Sequence, residues 1–152
     1  MNAEVRHTVM RGGWKPGPWD NEPDKVNWVD QATGLDCMMV RNHAGAWCGY
    51  VGVPKGHPHY QVEYSDLLWE YDVHGGLTYS SECAGHICHT PEAGRPDDVW
   101  WLGFDCAHLG DLAPSITKYP SLGFPAEGKY RDQAYVREEV TSLALQASNA
   151  AE

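Results

Sequence analysis

The sequence has no run of eighteen apolar residues, and its first ten residues lack the apolar core of a secretion signal. We therefore expect no membrane partner and predict a cytosolic protein. The sequence also lacks Gly-x-Gly-x-x-Gly, a phosphate loop ending in Gly-Lys-Ser/Thr, His-Glu-x-x-His and Pro-Cys-x-x-Cys. These absences leave the common nucleotide-binding, metalloprotease and deaminase classes without support.

Positive charge is scarce, with 11 Lys and Arg against 21 Asp and Glu and a net charge of −10. Most of the excess lies in residues 63–111, which hold ten acidic residues against Arg95 alone. A negative field opposes phosphate, so nucleic acid is not an expected partner, whereas a small molecule or a basic host protein is. The same residues are equally well explained as a solvated surface.

Phenylalanine is also rare, with two residues against seven Trp and eight Tyr, while glycine and proline number 16 and 10. A chain of 152 residues is about the size of one domain, so residues 1–152 are predicted to form a single unit. We expect an α+β fold in which a small antiparallel sheet carries long Trp-, Pro- and Gly-rich loops. One C-terminal α-helix is expected to pack on that sheet.

Local patterns place the elements of this fold. The sequence of residues 11–36 predicts a series of turns that form a structured loop around the domain, anchored by Trp14, Trp19 and Trp28. Residues 37–41 and 46–53 are apolar and flank an Asn-His-Ala-Gly turn, which predicts an antiparallel hairpin. Residues 76–80 and 99–104 are predicted as adjacent buried strands. For residues 65–71 helix and strand both stay open.

The helix is predicted over residues 129–147, with residues 148–152 fraying. Val136, Val140, Leu143 and Ala147 recur there at spacings of four, three and four. This period places the four residues on one apolar face, which is expected to pack across the sheet.

Chemistry-bearing side chains concentrate between His74 and Asp111, a segment with four of the eight histidines and three of the five cysteines. These residue types bind transition metals or transfer protons near neutral pH. In a reducing compartment an odd number of irregularly spaced cysteines favours thiols or metal ligands over a disulfide framework.

A zinc site is one interpretation of this segment. Residues 105–108 are expected to close a strand, which puts Cys106 and His108 on one face. Cys83 and Cys88 would complete a tetrahedral set of four ligands, and the metal would hold the loop of residues 81–98 against the sheet. The alternative is that these cysteines are ordinary core residues.

A hydrolytic centre is the second interpretation of the same segment. Here the metal would be hydrolytic: His74, Asp105 and His108 with water would form the centre, and Asp111 or His57 would serve as general base. The two glycines after His74 would let a ligand approach or form an anion nest. They are equally well explained as a tight turn before a strand.

Two further functions remain open. A non-catalytic binder would capture a basic protein or a small cationic or aromatic ligand with its acidic face and exposed tryptophans. A thiol enzyme would use Cys106 as nucleophile with His74 or His108 as base.

Three motifs carry a resemblance to a known group of proteins: WCGYVGVPKGHP at residues 47–58, VHGGLT at residues 73–78 and WWLGFDCAH at residues 100–108. With them the chain resembles a family of small bacterial and phage proteins from about Trp19 to the helix start at residues 130–137. The resemblance implies a phage or mobile-element origin, in which compact acidic proteins bind or neutralise a host component. It supplies no catalytic residues.

Overall fold

The computed structural model describes residues 3–5, 8–89, 98–118 and 128–152. Its strands form one antiparallel sheet in the spatial order β1-β2-β3-β4-β6-β5, and one α-helix packs on that sheet. The elements are β1 (Ala3–Val5), β2 (Lys25–Val29), β3 (Asp36–Arg41), β4 (Trp47–Val53), β5 (Tyr79–Ser81), β6 (Trp100–Asp105) and α1 (Gln133–Ala150). The predicted α+β architecture is confirmed.

The hairpin of β3 and β4 forms as predicted, with Arg41 paired to Trp47 across the turn. Asn42 closes this turn, because its side-chain oxygen accepts hydrogen bonds from the amides of Ala44 and Ala46, each at 3.0 Å. Gly45 completes it with a φ of +90°, a conformation that glycine adopts without steric cost. Strands β5 and β6 also pair as neighbours, as predicted, but β5 spans only Tyr79–Ser81 and is half-buried, so its predicted burial is wrong.

Both faces of the sheet are covered, and every residue of β3 and β4 is buried. On one face Cys37, Met39 and Phe104 pack against α1. On the other face Met38, Tyr50 and Trp101 pack against the chain around Cys83 and Ile87. This double coverage explains why these strands read as continuous apolar runs rather than as alternating ones.

Helix α1 begins after Asp132, whose side chain accepts a hydrogen bond from the amide of Tyr135 at 2.9 Å. Its buried face contains the four residues predicted from the sequence, together with Ala144. The helix continues to Ala150, so the prediction that residues 148–152 fray is wrong for most of that segment.

The prediction of turns throughout residues 11–36 is also wrong in part. Pro18–Asn21 is a 3-10 turn, but β2 lies within this segment and pairs with both β1 and β3. Val26 and Trp28 of β2 are buried in the layer below α1, and this burial outweighs the turn-forming residues around them.

A buried charge cluster ties the N-terminal loop to the sheet and the helix. Arg41 is 3% exposed, and its guanidinium lies 3.2 Å from Asp24 and 3.1 Å from Glu22. It also donates to the Tyr130 hydroxyl at 2.9 Å. The second oxygen of Glu22 accepts the amide of Gln133 at 2.8 Å, at the first turn of α1. Both carboxylates are thereby paired inside the fold, as buried charges require.

Residues 65–71, for which helix and strand were left open, form neither an α-helix nor a strand. Tyr64–Asp66 is a short 3-10 turn, and irregular turns follow it. Within the described ranges, no helix combines the length and the apolar character needed to span a bilayer.

Candidate functional site

The candidate site lies where β6 ends, beside the loop before β5 and the first turns of α1. The loop of residues 72–78 contributes His74, the turn after β6 contributes Asp105, His108 and Asp111, and α1 contributes Tyr135. Four of the five residues predicted to be catalytic therefore meet in one region.

His74 is held by hydrogen bonds at both ring nitrogens. Its Nε2 atom lies 2.8 Å from Oδ2 of Asp111, and its Nδ1 atom lies 2.7 Å from the Tyr135 hydroxyl. The backbone amide of His74 donates to Glu139 at 2.8 Å. With a neutral ring, Nε2–H donates to the carboxylate and Nδ1 accepts from the phenol, which fixes the tautomer.

Asp111 is the hub of this network, and its side chain is 1% exposed. Besides His74, it accepts from Arg131 at 2.9 Å and from the amide of His108 at 3.0 Å. Burial by itself would raise the pKa of Asp111, but hydrogen bonds from His74, Arg131 and His108 outweigh it and leave the pKa below its ordinary value. Asp111 is therefore a buried carboxylate that stays ionised.

Gly75 has a role that the sequence did not reveal. A Cβ atom at this position would lie 2.2 Å from Nε2 of His108, and the residue has a φ of +71°. The space left by the missing side chain is therefore filled by the His108 imidazole rather than by a ligand. The amide of Gly76 donates to the carbonyl of Val73 at 2.8 Å, so this glycine forms a turn rather than the expected anion nest.

Asp105 and His108 form a second, more exposed pair. Oδ1 of Asp105 lies 3.3 Å from Nε2 of His108, and the two side chains are 30% and 36% exposed. Oδ2 of Asp105 accepts from the Thr78 hydroxyl at 2.9 Å, which fixes the carboxylate plane. The imidazole rings of His74 and His108 lie 6.0 Å apart between centroids, so the two histidine–aspartate pairs are adjacent.

The chain turns away from the sheet just after Cys106, whose amide still donates to the carbonyl of Trp47 at 2.9 Å, and this corrects the expected strand geometry. Strand β6 ends at Asp105, whose side chain accepts a hydrogen bond from the amide of Ala107 at 3.0 Å. That bond closes an aspartate turn, a common alternative to continued strand pairing. As a result His108 folds back toward Asp105, and it does not share a strand face with Cys106.

A pocket of about 420 Å³ borders Asp105 of the second pair, and His108 lies just outside its lining. Asp105, Thr78, Ala107 and Asn42 contribute to its lining, together with the aromatic rings of Tyr50, Tyr79 and Phe104 and the buried thiol of Cys48. A volume of this order suits a small organic molecule. The combination of aromatic walls and one carboxylate favours a ligand with an apolar part and a neutral or positively charged group.

The structure separates His57 from this centre. Its Nδ1 atom accepts the amide of His59 at 2.9 Å, so Nε2 carries the proton and donates to the carbonyl of Ala147 at 2.8 Å. Ala147 lies eight residues beyond Glu139, which contacts His74, and this spacing corresponds to about 12 Å along the helix. His57 therefore satisfies a carbonyl in the last turn of α1 and is too far away to act as a base.

The four predicted zinc ligands are not brought together. Cys83 and Cys88 form a disulfide with a Cα–Cα distance of 4.5 Å, which corrects the expectation of thiols for these two, whereas Cys37, Cys48 and Cys106 are free thiols as expected. Cys83 packs on the face of the sheet opposite α1, whereas Cys106 is buried in the layer below α1. The body of the sheet thus lies between members of the predicted set.

A thiol nucleophile has little support in this geometry. Cys106 is 2% exposed, and burial raises its pKa above the ordinary value. Cys37 and Cys48 are also buried, and burial raises the pKa of Cys48 to about 12. A protonated, inaccessible thiol is a poor nucleophile, because the thiolate is the reactive form.

Sequence reasoning missed the helix residues that complete the site. Tyr135, Glu139 and Arg131 all bond to His74 or Asp111 from the first turns of α1 or just before it. The spacing of Tyr135 and Glu139 by four residues places them on one helix face and was the available signal. Nothing in the sequence indicated that this face meets the loop of residues 72–78.

The chain matches no protein-family model, no curated protein and no solved structure. The resemblance to small bacterial and phage proteins therefore stays a prediction, and function is argued from the site itself.

Proposed function

We propose that this protein is a hydrolase acting on a neutral or cationic small molecule, with His108 as general base. The observation that carries the proposal is the adjacency of two histidine–aspartate pairs, 6.0 Å apart between ring centroids, beside a pocket lined by Asp105. A histidine 3.3 Å from a carboxylate, beside a pocket with both polar and aromatic lining residues, is an arrangement suited to acid–base hydrolysis.

The two pairs have different roles in this proposal. Nε2 of His108 faces Asp105, so Nδ1 would take a proton from water while the water oxygen attacks the substrate carbonyl. The same imidazolium then returns the proton to the leaving group. Asp111 is a positioning residue, because it accepts the His108 amide and donates its own amide to the His108 carbonyl at 2.9 Å.

A version in which His74, Asp105 and His108 hold zinc is less well supported. Both ring nitrogens of His74 already have hydrogen-bond partners, and the Arg131 guanidinium bonds to Asp111 beside them. A divalent cation would have to replace one of these bonds next to a fixed positive charge.

The test uses chromogenic esters and amides with neutral or cationic acyl groups. Replacing His108 by Gln should lower kcat/KM at least roughly 100-fold, the scale of general-base catalysis. His86→Gln is the matched control, since His86 is exposed and lies outside the site. Full activity in the His108 variant, or no turnover of any substrate in the panel, would reject the proposal.

A non-catalytic binder of a basic host protein is the second candidate, and one surface favours it. Trp69 is fully exposed and Leu68 is 48% exposed, in a segment that also carries exposed acidic residues. An exposed tryptophan ringed by charge is a frequent anchor in protein interfaces. The acidic residues of this surface are Glu63, Asp66, Glu70 and Asp72.

Lysine-rich peptides test this second candidate. Reversing the four acidic residues to Lys, or replacing Trp69 by Ala, should abolish binding while leaving hydrolysis unchanged. Replacing Leu109, an equally exposed apolar residue outside this surface, is the control. Peptide affinity that is unaffected by the charge reversal would exclude this function.

A further inference from the structure

One group of soft metal ligands lies away from the histidine–aspartate pairs. The ligand atoms of Cys83, Cys88 and His89 all lie within 4.8 Å of one another. Among the described residues, this is the one group of three or more metal-binding side chains that converges so closely. Two thiolates and an imidazole form a donor set that zinc prefers.

The fold positions this group before any metal binds. Ala84 and Ile87 exchange backbone hydrogen bonds of 3.0 and 2.9 Å, and this tight turn brings the two cysteines to a Cα–Cα distance of 4.5 Å. Lys25 anchors the end of the turn by donating to the carbonyl of Cys88 at 2.7 Å.

Trp101 of β6 connects the group to the sheet in two ways. Its indole nitrogen donates to the sulfur of Cys83 at 3.4 Å, and its ring makes an edge contact with His89 at 5.3 Å between centroids. A hydrogen bond to sulfur stabilises a metal-bound thiolate, and a packed imidazole loses little freedom on binding. The surroundings thus suit a ligand set as well as a disulfide.

We propose that the turn of residues 83–89 is a redox-controlled zinc site whose oxidised form is the Cys83–Cys88 disulfide. A dithiol reductant attacks one sulfur to form a mixed disulfide, and its second thiol displaces the other cysteine. The products are two protein thiols and the oxidised, cyclic reductant. Zn²⁺ then binds both sulfurs and His89, releases two thiol protons and keeps water as its fourth ligand.

The reverse reaction would release the metal. A two-electron oxidant such as a diazene takes two electrons from the two thiolates and two protons from water and becomes a hydrazine, while the sulfurs join and zinc loses two ligands at once. In a cytosolic location the reducing environment would hold the pair as thiols and favour the metal-bound form. Under oxidising conditions the site would therefore release its zinc ion and form the Cys83–Cys88 disulfide.

The test uses the full chain without an affinity tag, in oxidised and reduced forms, with Co²⁺ and Zn²⁺ as probes. The reduced protein should bind one ion per chain, and Co²⁺ should show the thiolate charge-transfer absorption of a tetrahedral site. The oxidised protein should bind none, and diazene treatment should release the bound ion. Reduced protein that shows no charge-transfer band would overturn the proposal.

Matched variants separate this site from adventitious binding. His89→Ala should weaken Co²⁺ binding at least roughly tenfold, whereas His86→Ala should not, although both histidines belong to the same turn. Cys88→Ser should abolish the charge-transfer band, and Cys106→Ser should leave it intact. Equal affinities for the two histidine variants would refute the assignment, and this comparison stays decisive if a cysteine variant fails to fold.

Discussion

Replacing Gly75 by Ala should destabilise the protein through one identifiable contact. The new methyl group would lie 2.2 Å from Nε2 of His108, and the backbone would hold Ala at a φ of +71°. The left-handed conformation alone costs about 1–2 kcal/mol for a residue with a Cβ atom. Forcing the imidazole aside adds about 1–3 kcal/mol, the usual cost of overpacking.

Gly76 provides the matched control for this substitution. It has a φ of +80°, but a Cβ atom there would meet nothing within 4 Å. Gly76→Ala should therefore show only the conformational cost, about 1–2 kcal/mol. The difference in free energy of unfolding between the two variants isolates the contact with His108.

Urea denaturation followed by tryptophan fluorescence measures these values, and a double-mutant cycle completes the design. In a His108→Ala background the excess cost of Gly75→Ala should disappear, because the imidazole is gone. The reasoning would be refuted by equal costs at the two glycines, or by an excess cost that persists without His108. Gly75→Ala should also reduce any hydrolytic activity.

Three further outcomes follow from the same geometry. Asp111→Asn should cost about 2–3 kcal/mol at neutral pH. Because the pKa of Asp111 is lowered from 3.8, its carboxylate stabilises the fold above that pH. As the pH falls through the lowered pKa this stabilisation is lost, so the free energies of unfolding of wild type and variant, measured by urea titration, should converge. In the absence of reductant, Ellman titration should detect the three free thiols in unfolded protein but not in native protein, because these cysteines are buried. Fast reaction of Cys48 in native protein would contradict its pKa of about 12. His57→Ala should lower the free energy of unfolding by about 1–2 kcal/mol, because it leaves the Ala147 carbonyl unpaired, and His57→Gln should lower it less. Equal melting temperatures of the two variants would count against this hydrogen bond.

The sequence predicted those parts of the fold that depend on short-range pattern. The hairpin of β3 and β4 was predictable because its turn residues and flanking apolar runs are contiguous, and α1 because its period of apolar residues is regular. Strand β2 was missed because its stability comes from pairing on both sides and from burial below the helix. The prolines that precede β2 favour turns locally, and the local sequence gives no sign of these long-range contacts.

The sequence indicated which residue types would form the candidate site, but not which histidine would pair with which aspartate. Four of the histidines and aspartates that are concentrated between residues 74 and 111 meet in one region, and their function stays a prediction. Which carboxylate meets which imidazole depends on the turn after Asp105 and on the approach of α1. The aspartate turn is local but competes with continued strand pairing, and the approach of α1 is a long-range contact. The disulfide was missed because the spacing of Cys83 and Cys88 is compatible with a covalent bond, a metal or neither.

The Glu22 carboxylate also joins the beginning of the chain to its end. One oxygen lies beside Arg41 of the central hairpin, and the other receives the first amide of the terminal helix. Detaching the N-terminal loop would leave the Arg41 guanidinium inside the molecule without its carboxylates and would take the acceptor from the Gln133 amide in the same event. The amide hydrogen of Gln133 should consequently exchange with solvent only when this loop detaches, whereas a helix start held by local contacts alone would fray.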